Sequence, residues 1–168
     1  MILGLSVAAI TLIHVIISMI GIVTGLMAMI GLLTSKPMPG WTAVFLLTTI
    51  LTSVTGFMFP FDKLLPSHVI GIISLVLLAV ACFALYSQKL AGRWRWIYVV
   101  TAMTALYLNI FVLIIQSFLK IPPLHALAPS VPPSEPPFAV VQGIVLVLFV
   151  AATVMAVRKF RPLGGGLA

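Results

Sequence analysis

The sequence predicts an all-α integral membrane protein, a five-helix bundle with its N-terminus outside and its C-terminus in the cytoplasm. Three observations carry this expectation. Of 168 residues, 62% are hydrophobic and 7% charged, whereas a soluble domain carries about 25% charged residues; mean hydropathy is +1.32. The apolar residues fall into five runs, on the scale of the roughly 20 residues that cross a bilayer. The basic residues are divided unequally between the ends of those runs. Lys36, Lys89, Arg93, Arg95, Arg158, Lys159 and Arg161 share one side, and only Lys63 and Lys120 the other. Basic residues in short loops collect on the cytoplasmic face, so the net charge of +7 reads as a topology signal. Nucleic acid is excluded as a partner. The expected setting is the lipid bilayer of a bacterial inner membrane, crossed several times.

The first run covers residues 2–33 and stops at Thr34-Ser35-Lys36-Pro37-Met38-Pro39-Gly40. No basic residue precedes it and no clear cleavage site follows, so it reads as a retained helix. At 100° per residue, His14, Ser18, Gly21, Gly25 and Ala28 fall close to one line along this helix. Small residues let a second helix approach closely in lipid, and Gly21-x-x-x-Gly25 is the usual form of such a face. His14 is the only ionisable side chain of the run, and it shares this packing line.

Helix two is expected over 41–59, anchored by Trp41 at the interface. Thr42, Thr49, Ser53 and Gly56 form one stripe on it, and Thr48, Thr52 and Thr55 a neighbouring one. These hydroxyls serve helix packing and back-bonding to the i−4 carbonyl, or they line a path for a ligand or proton. A turn at 59–66, bracketed by Pro60 and Pro66, leads to helix three at 67–87. There Ser67 reads as an N-cap, and His68 falls in the first turn. The positive end of the helix dipole favours neutral imidazole, the metal-binding form, at such a position. Gly71 lies near the same face.

Helix four is expected over 96–119. Asn109 and Gln116 share one of its faces, and an amide near mid-membrane needs a partner. Residues 120–137 contain seven prolines and read as an extended outer loop of polyproline character. Helix five is expected over 138–157, and residues 162–168 form a glycine-rich tail. No repeat and no phosphate-binding glycine motif is present. The single cysteine, Cys82, excludes an internal disulfide and any Cys-x-x-Cys site.

The chain has two acids, Asp62 and Glu135, and three histidines, His14, His68 and His125. All five fall on or near the outer side. His14 and His68, facing each other across a bundle, can hold a haem iron axially. Small residues such as Gly21 and Gly71 leave room for the porphyrin, and Lys63, Lys120 or Tyr107 can meet its propionates. The alternative from the same residues is zinc or copper held by His14, His68 and His125, with Asp62 or Glu135. The bland reading makes His14 a hydrogen-bonded packing residue, His68 an interfacial one and His125 a solvated one.

A histidine early in helix one, a short outer turn and a second histidine opening helix three resemble small bacterial membrane proteins of the cytochrome-b561-like kind, over residues 11–90. They are similar also to uncharacterised bacterial membrane families with like placement of histidine and glycine. The resemblance implies axial ligation of haem b by His14 and His68. Cytochrome b561 proteins usually carry two histidine pairs; the single pair here leaves no ligands for a second haem, and helices four and five match nothing family-specific.

The leading expectation is a haem- or metal-binding membrane protein that handles electrons at the outer leaflet through His14 and His68. Two further classes stand beside it. A non-enzymatic accessory or scaffold subunit would use the proline-rich loop and the Gly21/Gly25 face to meet a membrane protein partner or a second copy. A metal-dependent membrane hydrolase would need all three histidines. Whether the protein is an enzyme is open at this stage. Ser53, Thr49, Asn109 and Gln116 are the candidate polar lining, and Ser18, Gly21, Gly25 and Gly71 the candidate packing residues.

Overall fold

In the computed structural model, residues 6–59 and 66–162 are described, and among them the chain is all-α with no strand. Helix α1 spans Val7–Thr34, α2 Pro39–Gly56, α3 Pro66–Cys82, α4 Trp94–Lys120, α5 Pro122–Leu127 and α6 Pro136–Lys159, and a π-helical turn, Phe83–Ser87, extends α3. Among the described residues four segments are long and apolar enough to cross a membrane: α1, α3 with its π turn, α4 and α6. The 18 residues of α2 are more polar, with five threonines, a serine, two glycines and a proline.

Local chemistry sets the helix ends. Ser6 caps α1, its Oγ accepting from the N–H of Ala9 at 3.1 Å. At the other end Ser35 adopts φ 55°, and the N–H of Lys36 reaches back to the Gly31 carbonyl at 2.9 Å. This is the left-handed stop that satisfies last-turn carbonyls before a proline-rich link. Pro39, Pro122 and Pro136 open α2, α5 and α6. Proline fits a first turn because the missing N–H has no intrahelical partner there.

That rule corrects the reading of 120–137 as extended. α4 runs through Lys120, α5 follows within two residues, and α6 begins at Pro136. The pairs Pro122–Pro123 and Pro136–Pro137 start helices here, while Pro132–Pro133 stays in the connection between them. α2 also starts two residues earlier than expected and stops at Gly56. Ser67 lies inside α3, which begins at Pro66. The expectations for residues 2–5, for Asp62 and Lys63, and for 163–168 lie outside the described residues.

Helices α1, α2, α3 and α4 form a ring in that order, each packed on the next, with α4 closing on α1. Across the ring α2 and α4 touch, while α1 and α3 share no packed interface. α6 lies outside the ring against α4 and α1. The close-packed core fills the half of the ring beside the basic loops, around Phe45, Leu78, Val99, Met103 and Leu106. Gly25 belongs to this half. A Cβ there would stand 2.5 Å from Leu106 Cδ1 and 2.8 Å from Phe45 Cδ2, so the α1 backbone lies directly on both side chains.

The same end is tied by polar contacts. Arg95 Nη1 donates to the carbonyls of Val157 at 2.9 Å and Phe160 at 2.7 Å, at the C-terminus of α6. The N–H of Arg161 donates to Ser35 Oγ at 2.8 Å. Large apolar side chains cover the outside, among them Val23, Leu47, Val76, Val147 and Leu148. That surface suits lipid contact.

Candidate functional site

In the opposite half the ring does not close. A cavity of about 600 Å³ lies between α1, α2, α3 and α4, within the roughly 300–1,000 Å³ range of cofactor and ligand pockets. It separates the two helices that have no mutual interface. The wall takes Thr11, His14 and Ser18 from α1, and Thr52, Ser53 and Gly56 from α2. α3 adds His68, Gly71 and Ser74, and α4 adds Asn109, Gln116, Ser117 and Lys120. Each helix thus contributes hydroxyl, imidazole or amide groups to an otherwise apolar space.

His14 is held by α2. Its Nδ1 stands 2.8 Å from Thr55 Oγ1. The Thr55 hydroxyl has one proton, and it points at the Leu51 carbonyl, 2.7 Å away in its own helix. Thr55 therefore accepts and His14 Nδ1 donates. That assignment leaves Nε2 with its lone pair, as a ligand or hydrogen-bond acceptor. The imidazole also meets the edge of Phe59, with ring centroids 5.4 Å apart at 89°. His68, on α3, is 5% exposed and lies 5.7 Å from the Phe57 ring at 37°. Phe57 in turn rests on Gly71, where a Cβ would come within 3.1 Å of its Cζ. The absent side chain at Gly71 is what lets Phe57 seat beside His68.

The base of the cavity is set by Asn109, whose Nδ2 donates to Thr49 Oγ1 at 3.3 Å. Thr49 is fully buried behind the wall. Gly21 lies behind the same bond, with Thr48 Oγ1 3.1 Å from where its Cβ would be. Most hydroxyls here bond to their own helix: Ser18 to the His14 carbonyl, Ser53 to Thr49 and Ser117 to Leu113. Thr52 differs, since its buried Oγ1 has no hydrogen-bond partner among the described residues.

The candidate residues therefore divide. His14, His68, Ser18, Ser53, Gly71, Asn109 and Gln116 line one cavity; Thr49 and Gly21 support its base, and Gly25 lies in the packed core. His125 and Glu135 do not join them. His125 sits on α5, half-buried, with a buried Nδ1 lacking a partner among the described residues. It is therefore partly shielded, where the sequence suggests a solvated side chain. Glu135 opens α6, and its Oε1 accepts from Ser130 N–H at 3.0 Å and Ser130 Oγ at 2.5 Å. Its Oε2 accepts from the N–H of Ser134 at 3.0 Å. The Ser130 hydroxyl and the Ser134 amide pull this carboxyl down to about 2. Among the described residues no group of three or more His, Cys, Asp or Glu is placed to hold a metal ion. The three-histidine zinc or copper set is thus not brought together, because α5 keeps His125 away from the wall.

Ser74, Ser117 and the two phenylalanines escaped the reading of faces. At 100° per residue Ser117 sits about 80° off the line through Asn109, so a wider arc would have included it, whereas Ser74 lies about 120° from His68 and enters the wall only through the packing of the ring. Comparison with protein-family models, curated proteins and solved structures finds no match for this chain.

Proposed function

We propose that this chain is a cofactor-binding membrane protein that holds haem b between His14 and His68 and handles electrons at the outer leaflet. One observation carries the reading. The two imidazoles line a single cavity and come from helices kept apart by it. The donor chemistry agrees, since a metal-bound histidine commonly donates its second ring nitrogen to a protein acceptor, as His14 does to Thr55. The resemblance to cytochrome-b561-like proteins points the same way. A bound haem would supply one-electron chemistry; His14 and His68 would hold it, against an apolar wall at Val15, Val112 and Leu113.

The topology belongs to this proposal. α2, about 27 Å long at 1.5 Å per residue, is the fifth span. The basic loops face the cytoplasm of a bacterial inner membrane, and the cavity then opens on the outer side.

The test is a visible spectrum of the detergent-purified protein, oxidised and dithionite-reduced, with elemental analysis of the same sample. A Soret band that shifts on reduction, with stoichiometric iron, is expected. His14→Ala and His68→Ala should each abolish it while the protein still folds. Zinc or copper in a colourless sample would move the reading to a non-haem metal at the two histidines and reopen the hydrolase class. A colourless, metal-free protein, expressed with excess haem, would overturn the cofactor reading.

A second reading, an accessory subunit, is favoured by α6. Among the described residues that helix packs chiefly on α4 and α1 and leaves Val140, Ile144, Val147 and Leu148 exposed. It predicts co-purification with a membrane protein partner or a second copy.

A further inference from the structure

Among the described residues that line the cavity, Lys120 is the only fixed charge. It is the last residue of α4 and exposed at the rim. Eleven residues along the same helix separate it from Asn109 at the base, about 16 Å of rise. Gln116, also exposed, stands one turn below it on that wall. The one acid among the described residues, Glu135, spends its oxygens on Ser130 and Ser134 and lines no part of the cavity. Among the described residues the wall is therefore polar and neutral at the base, mixed in the middle, and cationic at the rim. A lysine at a helix C-terminus is favoured by the helix dipole alone, but this one shares its space with two imidazoles.

We infer that Lys120 recognises a carboxylate on the molecule that occupies the cavity, and thereby fixes which end points outward. Resting on the haem reading, this assigns the contact to a haem propionate. The lysine ammonium donates to the carboxylate oxygen at the edge of the low-dielectric space, where a charge-assisted bond is strong. Lys120 is thus a specificity residue for an anionic ligand and no part of iron ligation.

The experiment titrates the purified full chain, stripped of cofactor, with haem and with its dimethyl ester, following the Soret band. Wild type should bind haem at least tenfold more tightly than the ester. Lys120→Gln should erase that preference while keeping the bis-imidazole spectrum; Lys120→Arg should retain the preference. Equal binding of haem and ester by wild type overturns the inference and leaves the haem reading standing. No Soret shift with either compound overturns both. The titration is repeated in phosphatidylcholine discs with and without phosphatidylglycerol. If the anionic lipid removes the preference, Lys120 belongs to a lipid phosphate and the inference falls.

Discussion

The half of the ring beside the basic loops and the half beside Lys120 are built from the same four helices, yet they solve opposite problems. In the first, Ala81, Ala84, Ala102 and Ala105 are almost fully buried and Gly25 brings α1 onto Phe45 and Leu106. In the second, serines, amides and imidazoles hold the helices around open space. Lipid supplies no hydrophobic drive for helices to associate, so close packing must do so. The difference teaches that the packed half carries the stability and frees the other half to remain hollow.

The largest expected effect breaks the packed half. Gly25→Val places methyls into the fully buried Phe45 ring, and overpacking of this kind costs about 1–3 kcal/mol. The melting temperature in detergent should fall, and cofactor binding should weaken only as the fold is lost. Gly56→Ala is the control in the hollow half, since among the described residues its Cβ meets only His14 Cε1 at an ordinary 3.8 Å. It should leave the melting temperature within error.

A second substitution acts on the cavity without touching the core. Thr55→Val removes the acceptor for His14 Nδ1 while keeping the side-chain shape. Loss of such an orienting partner weakens metal affinity roughly 10–100-fold. A haem titration should show that loss with only a modest fall in melting temperature, of the size expected for one interhelical hydrogen bond. If binding is unaffected, the tautomer argument for His14 fails.

Asn109→Ala tests the boundary between the halves. It removes the bond to Thr49, and interhelical hydrogen bonds in membranes average about 0.6 kcal/mol, reaching about 1.7. A modest fall in melting temperature is expected, smaller than that for Gly25→Val. An equal fall would mean that the polar base carries as much stability as the packed core.

The smallest effect lies outside the bundle. Glu135 has its carboxyl lowered to about 2 by the Ser130 hydroxyl and the Ser134 amide. A depressed pKa stabilises the folded form above the ordinary carboxylate range, near 4.5, and the contribution disappears as pH falls toward 2. The melting temperature should decline across that window, and the Glu135→Gln variant should lack this component of the decline.

Much of this architecture was legible because helical periodicity reports faces. His14, Ser18, Gly21 and Gly25 lie on one line of α1, and the line runs from cavity wall to base to core. Asn109 and Gln116 share an α4 face and do line the cavity. Periodicity does not report which faces meet. Nothing in the spacing separates α1 from α3 or gives Thr49 to Asn109, since both depend on the order of helices in the ring. The proline-rich loop misled for a local reason. Two of its three proline pairs, Pro122–Pro123 and Pro136–Pro137, stand where a helix begins, so α5 carries His125 away from the residues it was grouped with.

The missing interface between α1 and α3 has a consequence for what holds the helices together. Among the described residues, the contacts that close the ring lie between neighbouring helices or in the packed half. The scaffold is therefore self-supporting, and a change of side chain on the hollow wall alters the shape of the space without removing a helix–helix interface.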